Sequence, residues 1–325
     1  MRRWLVVLVA ALVVAALLAA PVAAKTLRIA FVPKLVGIPY FNAMEKGGKQ
    51  AAKDLGVEFI YTGPTSDDPA RQVEIIDNLI TRGVDVIAVA PNDPGSIGPI
   101  LEKAKSRGIV VMTSDTDAPN TVRQLFVNQA LQDEIGYAVM DSLAKDMNYE
   151  GKFAIVSCGP TAWNLNTWIL YEQQRLSKYP KMELVTIRYA GEDIQRAVEV
   201  GLDLMTAFPD LKGLIGQCST SGPGVAEAVT QAGKIGQVVA TGVSVPSLMR
   251  PYVKNGAVKH FVLWDPVKLG YLTVWAGKQL AEGKKLQPEM DVPNVGKVKY
   301  LADQKMLVLG PPTVFDINNV DNYDF

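Results

Sequence analysis

The 325-residue chain balances 33 basic against 33 acidic residues, with two cysteines, one histidine and no charged run. This excludes nucleic acid and anionic membrane as partners, since both are met by clustered Lys and Arg. It also leaves too few cysteines for a disulfide scaffold and too few soft ligands for a structural zinc site.

Arg2 and Arg3 precede an apolar run, Trp4–Ala20, which ends in Pro21 and the small residues Val22, Ala23 and Ala24. That is the layout of a signal peptide over residues 1–24 with cleavage after Ala24, and the run is at the short limit for a retained membrane helix. No Cys lies near the cut, so an exported chain without a lipid anchor is expected. About 300 residues remain, more than one core usually organises, so two domains are expected.

From Thr26 the pattern alternates. Leu27–Val32 is an apolar strand; Phe41, Met44, Gly48, Ala51 and Leu55 recur at helical spacing; Val57–Tyr61 is a second strand. Asp68 before Pro69 starts a helix, as a capping acceptor followed by a residue without an N–H to satisfy. Val84–Ala90 is a third strand, Ile97 to Ala104 a helix, and Ile109–Met112 a fourth strand. Strands apolar on both faces between amphipathic helices mean an α/β fold with a covered parallel sheet. The rhythm breaks at Val110–Gln129, where a turn holding Asp115 and Asp117 leads straight into the extended Gln124–Val127 with no room for a helix. This break is read as a domain crossing.

The same order then restarts. Strands are predicted at Phe153–Ser157, Leu184–Tyr189, Gly213–Gln217 and Val238–Thr241, with helices between them. The extended His260–Leu263 runs into Trp264–Asp265–Pro266 and a helix over Val267–Leu280, a second crossing. The tail, with short runs at Val295–Tyr300, Met306–Leu309 and Val314–Phe315, reads as edge or hinge strands.

Ligands of open parallel sheets bind beyond the carboxyl ends of the strands. Those ends carry Lys34, Tyr40, Phe41 and Asn42, then Asn92, then Asp115; in the second half they carry Trp163, Asn164, Gln217 and Ser219, with Trp264 and Asp265 at the second crossing. Amides, carboxylates, a Lys and aromatic rings are the groups that grip a polyhydroxylated ring. Asp93 and Asp117 read better as turn or cap acceptors, Trp168 as packing, and His260 as structural. No glycine-rich nucleotide fingerprint follows the first strand, and no GxSxG or HExxH is present, so neither an enzyme nor a cofactor is expected. Cys158 and Cys218 sit past strands that neighbour each other in a 2-1-3-4-5 order; export permits a bridge, while parallel strand ends often set the Cβ vectors badly for one.

Phe31–Gly37 (FVPKLVG), Thr113–Asp117 (TSDTD), Ser247–Asn255 (SLMRPYVKN), Leu263–Asp265 (LWD) and the ending Leu309–Phe325 (LGPPTVFDINNVDNYDF) carry a resemblance. Together they resemble type I periplasmic sugar-binding proteins of ABC importers, especially the rhamnose-binding and autoinducer-binding subgroup, over essentially the whole exported chain. The resemblance implies two doubly wound parallel-sheet lobes joined by three crossings: residues 25–127 with 264–290, and residues 128–263 with 291–325. The crossings fall near Val127–Gln129, Leu263–Asp265 and Glu289–Val295. It further implies a periplasmic monomer that closes on one small sugar and delivers it to a membrane permease, with a chemoreceptor as a further reader. Lys34 and Asp115 match a ligand-holding pair of the autoinducer branch. Where that branch has an Asp–Gln pair and a Pro, this chain has Asn164–Leu165 and Gln217, and Asn164 with the GPPTVFD ending is more similar to the rhamnose branch. The same module also serves as the sensory part of receptors and as the effector domain of transcriptional regulators, but a regulator carries a helix-turn-helix where this chain has an export signal.

Overall fold

Apolar strands followed by one-sided helices build a β1-α1-β2-α2-β3-α3-β4-β5 run. In the computed structural model, which describes residues 25–325, these are Arg28–Val32, Pro39–Leu55, Glu58–Tyr61, Pro69–Arg82, Val86–Val89, Pro94–Ser106, Val110–Ser114 and Phe126–Asn128. The expected signal peptide, residues 1–24, lies outside the described residues. The caps are those the sequence offers: Asp68 accepts from Arg71 N, and Asp93 from Gly95 N and Ser96 N, each just before a Pro. Asp117 is fixed by Arg123 at 2.7 Å and accepts from Thr113 and Ala118 N, so it closes the turn after β4.

The second run is α4 (Gln132–Asp146), β6 (Gly151–Ser157), α5 (Trp163–Leu176), β7 (Met182–Tyr189), α6 (Ile194–Ala207), β8 (Leu211–Gly216), α7 (Ser221–Gln231), β9 (Val239–Gly242), α8 (Pro246–Asn255) and β10 (Phe261–Leu263). Helix α9 (Pro266–Ala281) returns to the first unit. There follow β11 (Glu289–Val292), β12 (Gly296–Leu301), β13 (Met306–Val308) and β14 (Thr313–Phe315).

The first sheet has the order β11-β12-β13-β5-β4-β3-β1-β2 and the second β7-β6-β8-β9, with β10 bridged beside β9 and paired to β14. Strands β1 to β5 and β6 to β10 thus each follow the order 2-1-3-4-5, doubly wound with helices on both faces. Strands β3 and β6 are buried along nearly their whole length, as parallel strands covered on both sides must be. No helix among the described residues is long and apolar enough to cross a membrane.

The tail departs from the expectation. The sequence places residues 291–325 in the second lobe, but β12 and β13 join the first sheet, β13 running parallel to β5 with Met306 opposite Phe126. Strand β11, which the sequence reading did not distinguish, pairs antiparallel with β12. The third passage between sheets therefore lies at Leu309–Pro312 rather than near Glu289–Val295. The physical reason is that these strands bring no helix of their own, so they satisfy their backbone groups on the open edge of β5.

Helices α1 and α9 pack unusually closely. A Cβ on Gly270 would sit 1.9 Å from the Met44 carbonyl oxygen, and one on Gly47 would sit 1.8 Å from that of Val267. Both glycines are needed for the backbones to touch.

Candidate functional site

The strand ends of both sheets face each other across one pocket. From the first lobe come Lys34, two residues past β1; Tyr40 and Phe41, on the first turn of α1; and Asp115, directly after β4. From the second come Asn164, Leu165 and Trp168 on α5, Glu192 after β7, Cys218 and Ser219 after β8, and Val243 after β9. Trp264, at the second crossing, closes the side.

Asp115 is held from several directions. Its backbone adopts φ 71°, a left-handed conformation that Asp tolerates better than most residues, and its N–H donates to Val127 O of β5 at 3.2 Å. Trp264 Nε1 donates to the Tyr40 hydroxyl at 2.9 Å, and that hydroxyl donates to Asp115 Oδ1 at 2.7 Å. The relay fixes one carboxylate oxygen and leaves Oδ2 as an acceptor toward the pocket. Burial pushes the Asp115 carboxyl above its ordinary range, against the opposing pull of Lys34 and of the Tyr40 hydrogen bond. Burial, with the adjacent Asp115 charge, holds the Tyr40 phenol well above its usual value.

The opposite wall is tied to the first by hydrogen bonds between lobes. Lys34 Nζ donates to Asn164 Oδ1 at 2.9 Å, Asn164 N donates to Thr116 Oγ1 at 3.3 Å, and Thr161 Oγ1 donates to Asn92 O at 3.2 Å. Aromatic edges line the rest, Trp264 standing edge-on to both Tyr40 (6.0 Å) and Trp168 (5.6 Å). Burial also raises the Glu192 carboxyl, with Lys34 opposing.

Of the candidate residues, Lys34, Tyr40, Phe41, Asp115, Asn164, Ser219 and Trp264 are brought together here. Five others lie elsewhere. Asn42 is exposed on the outer side of α1, and Asp265 caps α9 by accepting from Lys268 N. Asn92 is buried behind Lys34, whose carbonyl accepts from its amide at 2.9 Å. Trp163 turns away from the pocket, edge-on to Phe126 at 6.0 Å, and Gln217 is buried beneath the floor. The sequence reading missed Trp168 and Glu192. On α5, residues 164, 165 and 168 share a face while 163 does not, so helical phase would have exchanged Trp163 for Trp168.

Cys158 and Cys218 form a disulfide between the ends of neighbouring β6 and β8, with Cα atoms 6.1 Å apart. Among the described residues the one grouping of potential metal ligands is these two sulfurs with Glu192, and the disulfide leaves no thiolate there. The chain's one histidine, His260, lies away from the pocket, bound to Asp146 at 2.7 Å.

A family model described as a periplasmic binding protein domain matches residues 29–285. This chain belongs to that family. Among solved structures, an ABC transporter solute binding protein from Clostridium phytofermentas with bound L-rhamnose is 29% identical, covering 92% of this chain and 98% of its own, with a TM-score of 0.87. LsrB from Clostridium saccharobutylicum in complex with AI-2 is 25% identical over 92% of this chain and 100% of its own, with a TM-score of 0.86. The D-ribose/D-allose-binding protein of Pseudomonas aeruginosa is 27% identical over 246 residues, 71% of this chain and 75% of its own. These relatives are binding proteins rather than enzymes, which agrees with the missing catalytic motifs.

Proposed function

We propose that this protein is the exported, substrate-binding component of an ABC importer, that it traps a monosaccharide between its lobes, and that it hands the sugar to a membrane permease. The observation that carries the reading is one pocket between the lobes in which Asp115 and Lys34 of one lobe oppose Asn164 and Leu165 of the other, walled by aromatic rings. A carboxylate, a lysine and an amide set among aromatic rings suit a single polyhydroxylated ring. Asp115 Oδ2 and Glu192 accept from hydroxyls, Lys34 donates to a ring or hydroxyl oxygen, and Asn164 does both.

Within the sugars, the reading favours rhamnose or a related 6-deoxysugar. Leu165 lines the pocket at 2% exposure and puts an apolar surface where an amide would reward a further hydroxyl. A methyl group suits that surface; an extra hydroxyl left unpaired costs about 1–3 kcal/mol, roughly tenfold to a hundredfold in affinity. The L-rhamnose-bound relative supports this choice, while the AI-2-bound and ribose-binding relatives support a furanosyl autoinducer or a pentose as the second reading. Calorimetry with L-rhamnose, mannose, ribose and the autoinducer tests it. Rhamnose should bind at least tenfold more tightly than mannose, and equal affinities would overturn the deoxysugar assignment.

A further inference from the structure

Behind the pocket lie two polar side chains that touch no ligand position. Glu172 is one turn along α5 from Trp168, and Gln217 directly precedes Cys218; they are 1% and 0% exposed. Gln217 Nε2 donates to Glu172 Oε1 at 2.7 Å. The two remaining oxygens, Glu172 Oε2 and Gln217 Oε1, are buried without a partner among the protein's own groups. The Ser157 hydroxyl, at the end of adjacent β6, is also unpartnered and so does not supply the missing donor.

An ionised carboxylate has no donor for either orphan oxygen, whereas a single proton on Glu172 Oε2 gives that oxygen a role and Gln217 Oε1 the donor it lacks. We propose that Glu172 is a protonated positioning residue, joined to Gln217 as an acid–amide pair that holds the Trp168 wall and the Cys218–Ser219 wall of the pocket in register. The charged and titratable groups around it do not act against this. On α4, which packs on α5, Asp133 and Glu134 lie in the first turn; Asp141 is bound by Arg175 at 2.7 and 2.6 Å and by Tyr179; and Tyr137 stands edge-on to Tyr171. At the pocket side are Glu192, Asp115 and Lys34. None of them shifts Glu172: burial pushes its carboxyl up to about 8, opposed only by the Gln217 amide.

The sign of the effect follows. The folded chain keeps this proton where the unfolded chain has lost it, so stability falls as pH rises from the ordinary glutamate range to about 8. If only the protonated form sets the walls, sugar affinity is level in mild acid and drops about tenfold between about pH 7 and pH 9.

The affinity readout rests on the sugar-binding reading; the protonation does not. Glu172→Gln keeps a complementary amide pair with nothing to ionise, so its affinity should no longer change over that range, while Glu172→Leu should weaken binding at every pH. Without sugar, the melting temperature of the wild type should fall with rising pH more steeply than that of Glu172→Gln. The infrared difference between wild type and Glu172→Gln at neutral pH should contain the band of a protonated carboxyl. Parallel pH profiles for wild type and Glu172→Gln, or a difference spectrum showing only carboxylate, would overturn the proposal. Should no sugar bind at all, the proposed function fails while melting and infrared still decide the proton.

Discussion

Asp115→Asn separates what this residue does for the ligand from what it does for the fold. Asparagine tolerates the φ of 71° that Asp115 adopts, and its Oδ1 can still accept from the Tyr40 hydroxyl, so the relay from Trp264 survives. What changes is Oδ2, which becomes an amide donor where the pocket had a charged acceptor. Hydrogen bonds to charged groups are worth about 1.5–3 kcal/mol, so losing one weakens every sugar by roughly tenfold to 150-fold. Stability should move the other way. Burial raises the Asp115 carboxyl, which means the folded chain carries the charge at a cost, and a neutral isostere relieves it. Calorimetry with L-rhamnose and thermal melting of the sugar-free protein measure the two halves. Affinity should drop at least tenfold while the melting temperature holds or rises. A melting temperature that falls along with affinity would show that the carboxylate is structural, and affinity within about twofold of wild type would remove Asp115 from the ligand's partners.

Three further outcomes follow from the helix packing and the disulfide. Gly270→Ala drives a Cβ into the Met44 carbonyl and forces α9 off α1; a urea midpoint shift corresponding to about 1–3 kcal/mol is expected, and an unchanged midpoint would refute the close contact. Because Trp264 lies just before α9, the same substitution should also weaken sugar binding. Reducing the Cys158–Cys218 bridge, whose partners are 60 residues apart, should cost roughly 4 kcal/mol on the loop-entropy estimate, read as a urea midpoint shift with and without a dithiol. No shift would mean that the neighbouring β6 and β8 already hold the two ends.

The architecture was readable because the central strands of the βα rhythm, such as β3 and β6, are apolar on both faces and the helices between them on one, a pattern that leaves little choice of layer. Lys34 and Asp115 were found by the strand-end rule, since a short polar stretch after an apolar strand has nowhere to go but the sheet's edge. The rule fails where a helix intervenes: Trp163 is nearer the end of β6 than Trp168, yet the helical turn sends it to Phe126. Glu192 obeys the same rule after β7, in the short loop before the capping Asp193, where the sequence analysis singled out no residue. The tail was misplaced because lobe membership is decided by long-range pairing. Met306–Val308 has the same apolar character whether it edges one sheet or the other; only the register with Phe126–Asn128 settles it.

That pairing constrains how the molecule can move. Strands β5 and β13 lead out of the first sheet side by side, and the Leu309 N–H donates to the Asn128 carbonyl at 2.8 Å where they leave it. Two passages between the lobes are therefore a single hydrogen-bonded ribbon. A ribbon bends readily across its flat face but resists sliding of one edge past the other, which would break its rungs. With Trp264 as the remaining post, any relative motion of the lobes would be confined to bending across that ribbon, and the contact between side chains as far apart in sequence as Lys34 and Asn164 would be recovered whenever the ribbon returns to this bend.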